Sequence, residues 1–253
     1  MKEFSHQPRA ATGIEYHSAG AVIAAHVHDD DQFLYASNGV LAVETSEGRW
    51  AATPERAVHI PAGVWHEHRV FGASTVHVIG VPEPLPRAQR NAPRVVPATG
   101  LVRELILNIS GELLQGAARG TALALLLQLA AELPSHGLTL PRPSDHRLQR
   151  ACIYVESHLS ESVAIGALSQ HVGVSERTLS RLFRSHFGMT YPQWRSVLRT
   201  FHASVALAEG LSVTEVAMRC GFPTPAAFAQ TFSRLTGHPP GRFARLEYTS
   251  LEP

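Results

Sequence analysis

Two stretches in the second half of the chain repeat one pattern, in which a short helix, a turn with glycine and a second helix follow one another. The predicted helices cover 165–171 and 175–184 in the first stretch, and 212–220 and 225–235 in the second. A longer predicted helix, at about 192–208, lies between the two stretches. Apolar residues recur at helical spacing in each second helix, which predicts a buried stripe there. This half of the chain is therefore predicted to be all-α.

Capping residues mark the ends of these predicted helices. Ser175 stands where a hydroxyl can satisfy an unpaired backbone amide at a helix start. Ser212 and Glu215 have the spacing of a capping box, and Thr224 precedes Pro225, which is tolerated in a first turn. Helix ends are predicted by the glycines that follow each helical pattern, namely Gly173, Gly188, Gly210, Gly221 and Gly237.

The duplicated pattern resembles the DNA-binding domain of AraC/XylS-type transcriptional regulators. The resemblance implies an all-α domain at 144–245 with two helix-turn-helix units, at about 163–184 and 212–236. In such a domain a recognition helix lies in the major groove of double-stranded DNA, and two of them must lie about one helical turn apart. The residues that carry the resemblance are 173–183, 188–190, 211–217, 220–222, 228–232, Gly237 and 239–243.

The same resemblance implies which side chains of the first unit face the DNA. The positions that face bases hold Arg177, Ser180 and Arg181, with Thr178 beside them. Arginine can bind guanine through two hydrogen bonds, so this helix is expected to discriminate between bases. Phosphate contacts are expected from other arginines of the domain, for which the candidates are Arg184, Arg195 and Arg234.

The second recognition helix carries a different set at the matching positions. Ala226 and Ala227 can at most contact thymine methyl groups, and only Gln230 can hydrogen-bond a base, with adenine as its natural partner. We therefore expect the first unit to supply most of the sequence specificity. The second unit is expected to supply positioning through phosphate contacts.

Composition agrees with a two-domain protein that binds nucleic acid. The chain has 253 residues, of which 44% are hydrophobic and 17% charged, a composition typical of soluble globular proteins. Neither a secretion leader nor an apolar run long enough to cross a membrane is expected. The net charge is only +1, but residues 144–245 hold 11 arginines against 6 acidic residues, whereas 1–100 hold 8 basic against 10 acidic residues. Cys152 and Cys220 lack metal-type spacing and are expected to be reduced thiols of a cytoplasmic protein.

The first third of the chain has a different pattern. Short extended segments separated by turn residues fill 13–81, which predicts an all-β barrel or sandwich. Between the segments at 32–36 and 40–45 stands Asn38-Gly39, a pair that typically predicts a hairpin turn.

Two stretches of this region resemble the two motifs of cupins, which are small jelly-roll barrels. Gly20, His26, His28, Gln32 and Gly39 have the spacing of the first motif, and 61–66 resembles the second. The resemblance implies a cupin-like sensor barrel at 12–81. Residues two apart on a strand share a face, so the first two histidines can both point inward.

By this resemblance a divalent transition metal would be held by His26, His28, Gln32 and His66. Gln32 replaces the usual glutamate, and a neutral amide oxygen is a weaker ligand. Further candidate ligands are His59, His68 and His77, and the expected walls of an effector pocket are Tyr35, Trp65 and His66. The alternative is that the histidines only hydrogen-bond within a barrel that binds an organic effector or no ligand.

Two proline-rich stretches and two predicted helices join the domains. Residues 82–97 are predicted to be an extended connector and 134–143 a second linker. Residues 98–133 are predicted to form two helices that pair two copies of the chain, since the second is apolar on nearly all sides. The alternative is that these helices pack only on their own barrel.

The overall expectation is an α+β multidomain regulator and not an enzyme. A cupin-like domain senses a small molecule or metal ion, the middle helices form a homodimer, and the C-terminal domain binds a promoter and, in an activator, contacts RNA polymerase. No membrane partner is expected. Two alternatives remain: a metal-dependent cupin enzyme fused to a DNA-binding domain, and a DNA-binding protein with an inert barrel.

Overall fold

The computed structural model describes residues 4–82, 93–133 and 138–241. The chain divides between residues 137 and 138 into two compact units. The first unit is a β-sheet with two helices, and the second is helical apart from one short strand. This agrees with the predicted change from β to α structure along the chain.

Eight strands of the first unit lie within the described residues. They are β1 (Ser5–Gln7), β2 (Gly13–His17), β3 (Val22–His28), β4 (Asp31–Glu44), β5 (Gly48–Ala52), β6 (Arg56–Ile60), β7 (His66–Val81) and β8 (Arg94–Pro97). The long strands β4 and β7 pair with each other, and β7 also pairs with β2 and β3. β4 pairs with β6 through its first half and with β5 through its second, and β8 extends the sheet from β6.

The predicted hairpin at Asn38-Gly39 is wrong, because both residues lie inside the single strand β4. Gly39 has a φ of +70°, and the register between β4 and β7 shifts on both sides of Asn38. Asn38 fixes this irregularity by donating from Nδ2 to the carbonyl of Ala73 and accepting from the amide of Thr75, both at 2.9 Å. The pair therefore forms a bulge that bends one strand, which is the other common use of such a glycine.

The predicted connector at 82–97 also differs from the structure at its C-terminal end. Arg94–Pro97 is strand β8, and Val95 and Val96 are buried in two different hydrophobic cores. Burial of the two valine side chains stabilises the fold, whereas an extended linker would leave them in water, and this explains why the segment forms a strand. Most of the remaining connector lies outside the described residues.

Two helices, α1 (Gly100–Ser110) and α2 (Gly116–Glu132), follow the sheet. Val102, Ile106 and Leu126 form one core with the sheet residues Phe33 and Tyr35. Leu34 and other alternate residues of β4 enter a second core with β5, β6 and β7. The helices thus pack on the sheet of their own chain, and among the large apolar residues Leu101, Leu113 and Leu125 remain exposed on this segment.

The second unit contains six helices and one short strand within the described residues. They are β9 (Thr139–Pro141), α3 (His146–Ser157), α4 (Ile165–Val172), α5 (Glu176–Phe187), α6 (Tyr191–Ala208), α7 (Val213–Arg219) and α8 (Pro225–Thr236). The predicted linker at 134–143 therefore contains a strand at its described end. The five helix predictions of this unit are confirmed, and α3 was not predicted as a separate element.

The predicted capping residues all act as caps. Ser175 accepts from the amide of Thr178 at 3.2 Å, and Thr224 accepts from that of Ala227 at 3.1 Å. Ser212 and Glu215 form the reciprocal capping box. Gly173, Gly188 and Gly237 end their helices in the left-handed conformation. These contacts are local in sequence, which is why the pattern alone could predict them.

Candidate functional site

Helix α5 presents a basic surface to solvent. Arg177, Arg181 and Arg184 are all exposed and lie on one side of the helix, since they are four and three residues apart. The opposite side buries Leu179, Leu182 and Phe183, the stripe predicted from the sequence. The exposed side forms a recess of ≈ 710 Å³ lined by Arg177, Thr178, Ser180, Arg181, Arg184 and Ser185. The structure therefore brings the five predicted contact residues of this helix together.

Thr178 and Ser180 differ from the arginines in exposure. Both are half-buried, and the Thr178 hydroxyl lies 2.9 Å from that of Ser175, the residue that caps the helix. A hydroxyl that is held at the helix start can still accept or donate one further hydrogen bond. Thr178 is thereby positioned by the cap, whereas the arginines can move.

Helix α8 has the same packing but a nearly uncharged outer face. Phe228 and Phe232 are completely buried, and Ala226 and Gln230 are exposed at the predicted positions. Ala227 is half-buried and uses its backbone amide in the Thr224 cap. Arg234 is exposed one turn further along, where it is free of the core.

Arg195 is placed differently from the other predicted phosphate contacts. It is half-buried and donates a hydrogen bond to the backbone carbonyl of Glu161. Its neighbour Arg199 donates to the same carbonyl and to that of Leu159, both at 3.3 Å, and burial lowers the pKa of Arg199 to about 10. The guanidinium of Arg195 thus supports the segment between α3 and α4, whose carbonyls lack helical partners, and its phosphate contact stays a prediction.

Helix α6 joins the two pairs of short helices. Its 18 residues span ~27 Å at ~1.5 Å per residue. Trp194 stacks on Phe187 with ring centroids 5.9 Å apart, which fixes α6 against α5. At its other end Ala203 and Leu207 enter the core that contains Phe228 of α8. One rigid element therefore sets the separation of the α5 and α8 outer faces.

A cluster of four histidines lies in the first unit. His26 and His28 belong to β3, and His66 and His68 to β7; all four are at most 5% exposed. His26 and His66 are directly opposite across the two antiparallel strands. Centroid distances between neighbouring rings are 4.3 Å for His26 and His66, 4.8 Å for His28 and His66, and 5.0 Å for His66 and His68.

The cluster contains three of the four predicted metal ligands and adds His68. One ring nitrogen from each of His26, His66 and His68 lies within 4.8 Å of the other two. Burial, together with the neighbouring imidazoles, lowers the pKa of His66 to about 3 and that of His68 well below its usual value. These two rings are therefore neutral at physiological pH. His68 was among the further candidates from the sequence, and it stands two residues after His66 on β7, so the two side chains project from the same face of that strand.

The other predicted residues of this unit occupy different positions. Gln32 is buried, and its Oε1 has no hydrogen-bond partner among the residues described. Tyr35 instead packs in the core with α1 and α2 and donates to the carbonyl of Pro54 at 3.0 Å. Tyr35 and its neighbours on β4 therefore lie in different cores, because successive side chains of a strand point to opposite faces of the sheet. Trp65 is half-buried and precedes His66.

Two further buried histidines are engaged in hydrogen bonds. His59 lies 3.1 Å from the carboxylate of Asp31, which also accepts from the amide of Ala62 at 2.9 Å. His77 contacts the hydroxyls of Ser110 and Ser37 at 2.8 and 3.1 Å. These contacts use both ring nitrogens of His77 and tie β7 to α1 and β4. In the four-histidine cluster, by contrast, Nε2 of His28, His66 and His68 has no partner among the described residues.

Comparisons with known proteins identify a helix-turn-helix domain in the part of the chain that contains α5. Residues 168–246 match the family model described as a helix-turn-helix domain. The chain is 30% identical over 232 residues to the HTH-type transcriptional regulator NimR of Escherichia coli K12, an alignment that covers 89% of this chain and 84% of that regulator.

Solved structures are also similar. The DNA-binding domain of the transcriptional factor AdpA, crystallised with a target DNA, shares 33% identity, with 40% of this chain and 91% of that chain covered and a TM-score of 0.38. Wild-type ToxT from Vibrio cholerae, crystallised with an unsaturated fatty acid, shares 10% identity over 96% of this chain and 97% of that chain, with a TM-score of 0.41.

The family model and the Escherichia coli relative define a helix-turn-helix transcriptional regulator whose partner is double-stranded DNA. Because the identity to the Escherichia coli regulator extends over most of both chains, the chain belongs to the AraC family of transcriptional regulators. The relatives are named as regulators. Within the described residues, no helix combines the length and apolarity that crossing a membrane requires.

Proposed function

We propose that this regulator reads its DNA site with two helix-turn-helix units, formed by α4 and α5 and by α7 and α8, and that α5 supplies most of the sequence specificity. The observation that carries this proposal is the contrast between the exposed faces of α5 and α8. Arg177 and Arg181 are exposed and can bind guanine, whereas Ala226 and Gln230 offer one hydrogen-bonding side chain between them.

Phosphate contacts complete the proposed interface. Arg184 and Arg234 are exposed near the ends of α5 and α8 and are the side chains that we assign to the DNA backbone. Such contacts position the protein without reading sequence, and they make affinity depend on salt. The ~27 Å length of α6 suits two faces that enter successive grooves, whose separation is ~34 Å.

The first unit is the proposed sensor. Its bent long strands, two cores and buried polar cluster support a cupin-like jelly-roll barrel that binds a small molecule or metal ion at His66 and its neighbours. We propose that binding there changes promoter occupancy in the cytoplasm, without chemical turnover of the effector. An activator of this kind would contact RNA polymerase.

Homodimer formation is proposed through α1 and α2. Both helices already pack on their own sheet, so only their outer faces are free for a second copy. Leu125 of α2 and Leu101 of α1 are exposed on those faces at 38% and 54%. Sedimentation of wild type and a Leu101→Glu/Leu125→Glu variant would test this assignment, with a monomeric variant as the expected result and an unchanged dimer as the contrary one.

The test of the DNA proposal begins with selection of binding sites from a random duplex library. Arg181→Ala is expected to lose ~1–3 kcal/mol of discrimination at one base pair, which is the worth of a bidentate contact. Gln230→Ala should lose less. Arg69→Ala, at an exposed arginine of β7, is the control for loss of positive charge. If Gln230→Ala relaxed the selected sequence more than Arg181→Ala, the proposed division between the two units would be wrong.

A further inference from the structure

The four-histidine cluster of β3 and β7 has the geometry of a metal site. His26 and His28 are two residues apart on β3, and His66 and His68 are two apart on β7, so each pair projects from one face of its strand. The direct pairing of His26 with His66 brings the two faces together. Two neighbouring strands thus supply four imidazoles to one small volume.

Backbone carbonyls orient three of these rings in the same way. The Nδ1–H groups of His26, His28 and His66 donate to the carbonyls of Ala24, Asp30 and Val64, at 2.9, 2.6 and 2.9 Å. A carbonyl can only accept, so each Nδ1 carries a proton, and Nε2 is the atom of each ring that can offer a lone pair to a metal. Metal-binding histidines characteristically donate their other ring nitrogen to such a partner.

Three Nε2 atoms of the cluster lack hydrogen-bond partners within the described part of the chain. Those of His28, His66 and His68 are buried, and no hydrogen bond reaches them from any described residue. Buried polar atoms are nearly always satisfied, so three unsatisfied ring nitrogens in one cluster favour a site that takes up a ligand able to bind their lone pairs. A hydrophobic effector could not satisfy them, whereas a metal cation would.

The distances require only a small closure of the cluster. The ring nitrogens of His26, His66 and His68 lie within 4.8 Å of one another. Nitrogens bound to a tetrahedral zinc ion lie ~3.4 Å apart, since each Zn–N bond is ~2.1 Å. Side-chain rotations that move the rings by on the order of 1 Å would therefore complete the site.

We propose that this chain binds one divalent transition metal ion through Nε2 of His26, His66 and His68, with His28 as the fourth imidazole. His68 then takes the place that the motif comparison assigned to Gln32. Four neutral nitrogen ligands select zinc, copper, nickel or cobalt over magnesium or calcium, which prefer oxygen. The bound ion keeps its full positive charge, because the site contributes no carboxylate.

The metal site does not depend on the sensor role, but the next step rests on the proposed function. The ion is the effector, and its binding changes the affinity of the chain for DNA. Two separate measurements on the full-length chain, carrying no polyhistidine tag, distinguish these statements. The first counts bound metal, and the second measures DNA binding with and without metal.

Metal binding is measured after the chain has been stripped with a chelator and titrated with Zn²⁺ or Co²⁺. One ion per chain is expected, with a tetrahedral cobalt absorption spectrum, a higher unfolding temperature, and no uptake of Mg²⁺. This measurement needs no variant. A folded wild-type chain that takes up neither Zn²⁺ nor Co²⁺ overturns the proposal.

Variants then identify the ligands. His66→Gln and His68→Gln are expected to weaken zinc binding by more than the ~10–100-fold that loss of a partner outside the coordination shell costs. Gln32→Leu should leave zinc affinity unchanged. The matched control is His77→Gln, because His77 lies on the same strand and is as buried as His68, at 5% exposure, but has hydroxyl partners. Equal zinc affinity in His68→Gln and His77→Gln would remove His68 from the site.

Measurements of DNA binding distinguish the existence of the metal site from the role of the bound ion as effector. Selected operator DNA should bind metal-loaded and metal-free protein with affinities that differ at least ~5-fold, the lower end of typical coupling between two sites. Stoichiometric metal with unchanged DNA affinity would retain the site and reject its role as effector. Stoichiometric metal with no DNA binding in either form would instead contradict the proposed mode of DNA recognition.

Discussion

The two helix pairs of the second unit share their framework and differ in their outer faces. Each second helix begins at a hydroxyl cap, Ser175 or Thr224, and each buries an apolar stripe that contains a phenylalanine, Phe183 in α5 and Phe228 in α8. Outside, α5 exposes three arginines, whereas α8 exposes Ala226 and Gln230 and a single arginine, Arg234. Caps and buried stripes determine where a helix forms and packs, and they leave the solvent-facing positions free to differ in what they bind.

The turns of the two pairs should differ most in their tolerance of a side chain. Gly173 and Gly221 have φ angles of +74° and +71°, but an added Cβ meets no atom within 4 Å at Gly173, whereas at Gly221 it lies 2.6 and 2.7 Å from the carbonyls of Leu159 and Ser160. Gly221→Ala should therefore destabilise the chain by ~3 kcal/mol or more, and Gly173→Ala by ~1 kcal/mol, the cost of the left-handed conformation alone.

Chemical denaturation of the two variants measures this difference. Gly173→Ala is the matched control, since it imposes the same backbone strain without the contact. Equal losses of stability would show that the second turn relaxes around the new methyl group, and that the two pairs are packed alike.

The arginines that differ in placement should differ in salt dependence. Each phosphate that a protein neutralises contributes ~0.9 to the slope of log binding constant against log salt. Arg184→Ala should reduce the magnitude of that slope by ~1. Arg195→Ala should leave the slope unchanged and lower the unfolding temperature, because Arg195 donates to the carbonyl of Glu161. Fluorescence anisotropy across a salt series provides the slopes, and a reduced slope in Arg195→Ala would support its predicted phosphate contact.

The smallest expected effect concerns the two hydroxyl caps. Ser175→Ala and Thr224→Ala should each cost ~1 kcal/mol of stability, a typical value for a lost cap. Only Ser175 also contacts the hydroxyl of Thr178, at 2.9 Å. Ser175→Ala should therefore change base preference in a selection experiment as well, and Thr224→Ala should not. A change in base preference in both variants would indicate that α8 reads sequence as strongly as α5.

Local patterns predicted the second unit better than the first. The caps at Ser175, Ser212 and Thr224 each bind the amide three residues away, so a short stretch of sequence contains the whole interaction. Asn38 and Gly39 have the local pattern of a turn, yet they form a bulge whose hydrogen bonds reach Ala73 and Thr75. The partner strand decided that outcome, and it is far away in sequence.

In the histidine cluster, too, local sequence patterns predicted one part of the arrangement and the pairing of distant strands decided the rest. The spacing of His26 and His28 predicted that they share a face of one strand, and the resemblance to the cupin motifs implied that His66 would meet them. The addition of His68 depended on the pairing of β3 with β7, which puts that ring beside His66 and His26. Tyr35 was expected in the same pocket but enters the core below α1 and α2, because alternation along β4 directs it to the other face.

By itself the sequence determined the helix boundaries of the second unit, its basic recognition helix and the family to which the chain belongs, because these depend on residues that are neighbours along the chain. Only the tertiary structure decided that Arg195 supports a loop, that Asn38-Gly39 bends a strand and that four imidazoles share one site. Each of these depends on which distant segment lies opposite, and burial of the whole apolar surface, rather than local preference, sets that arrangement.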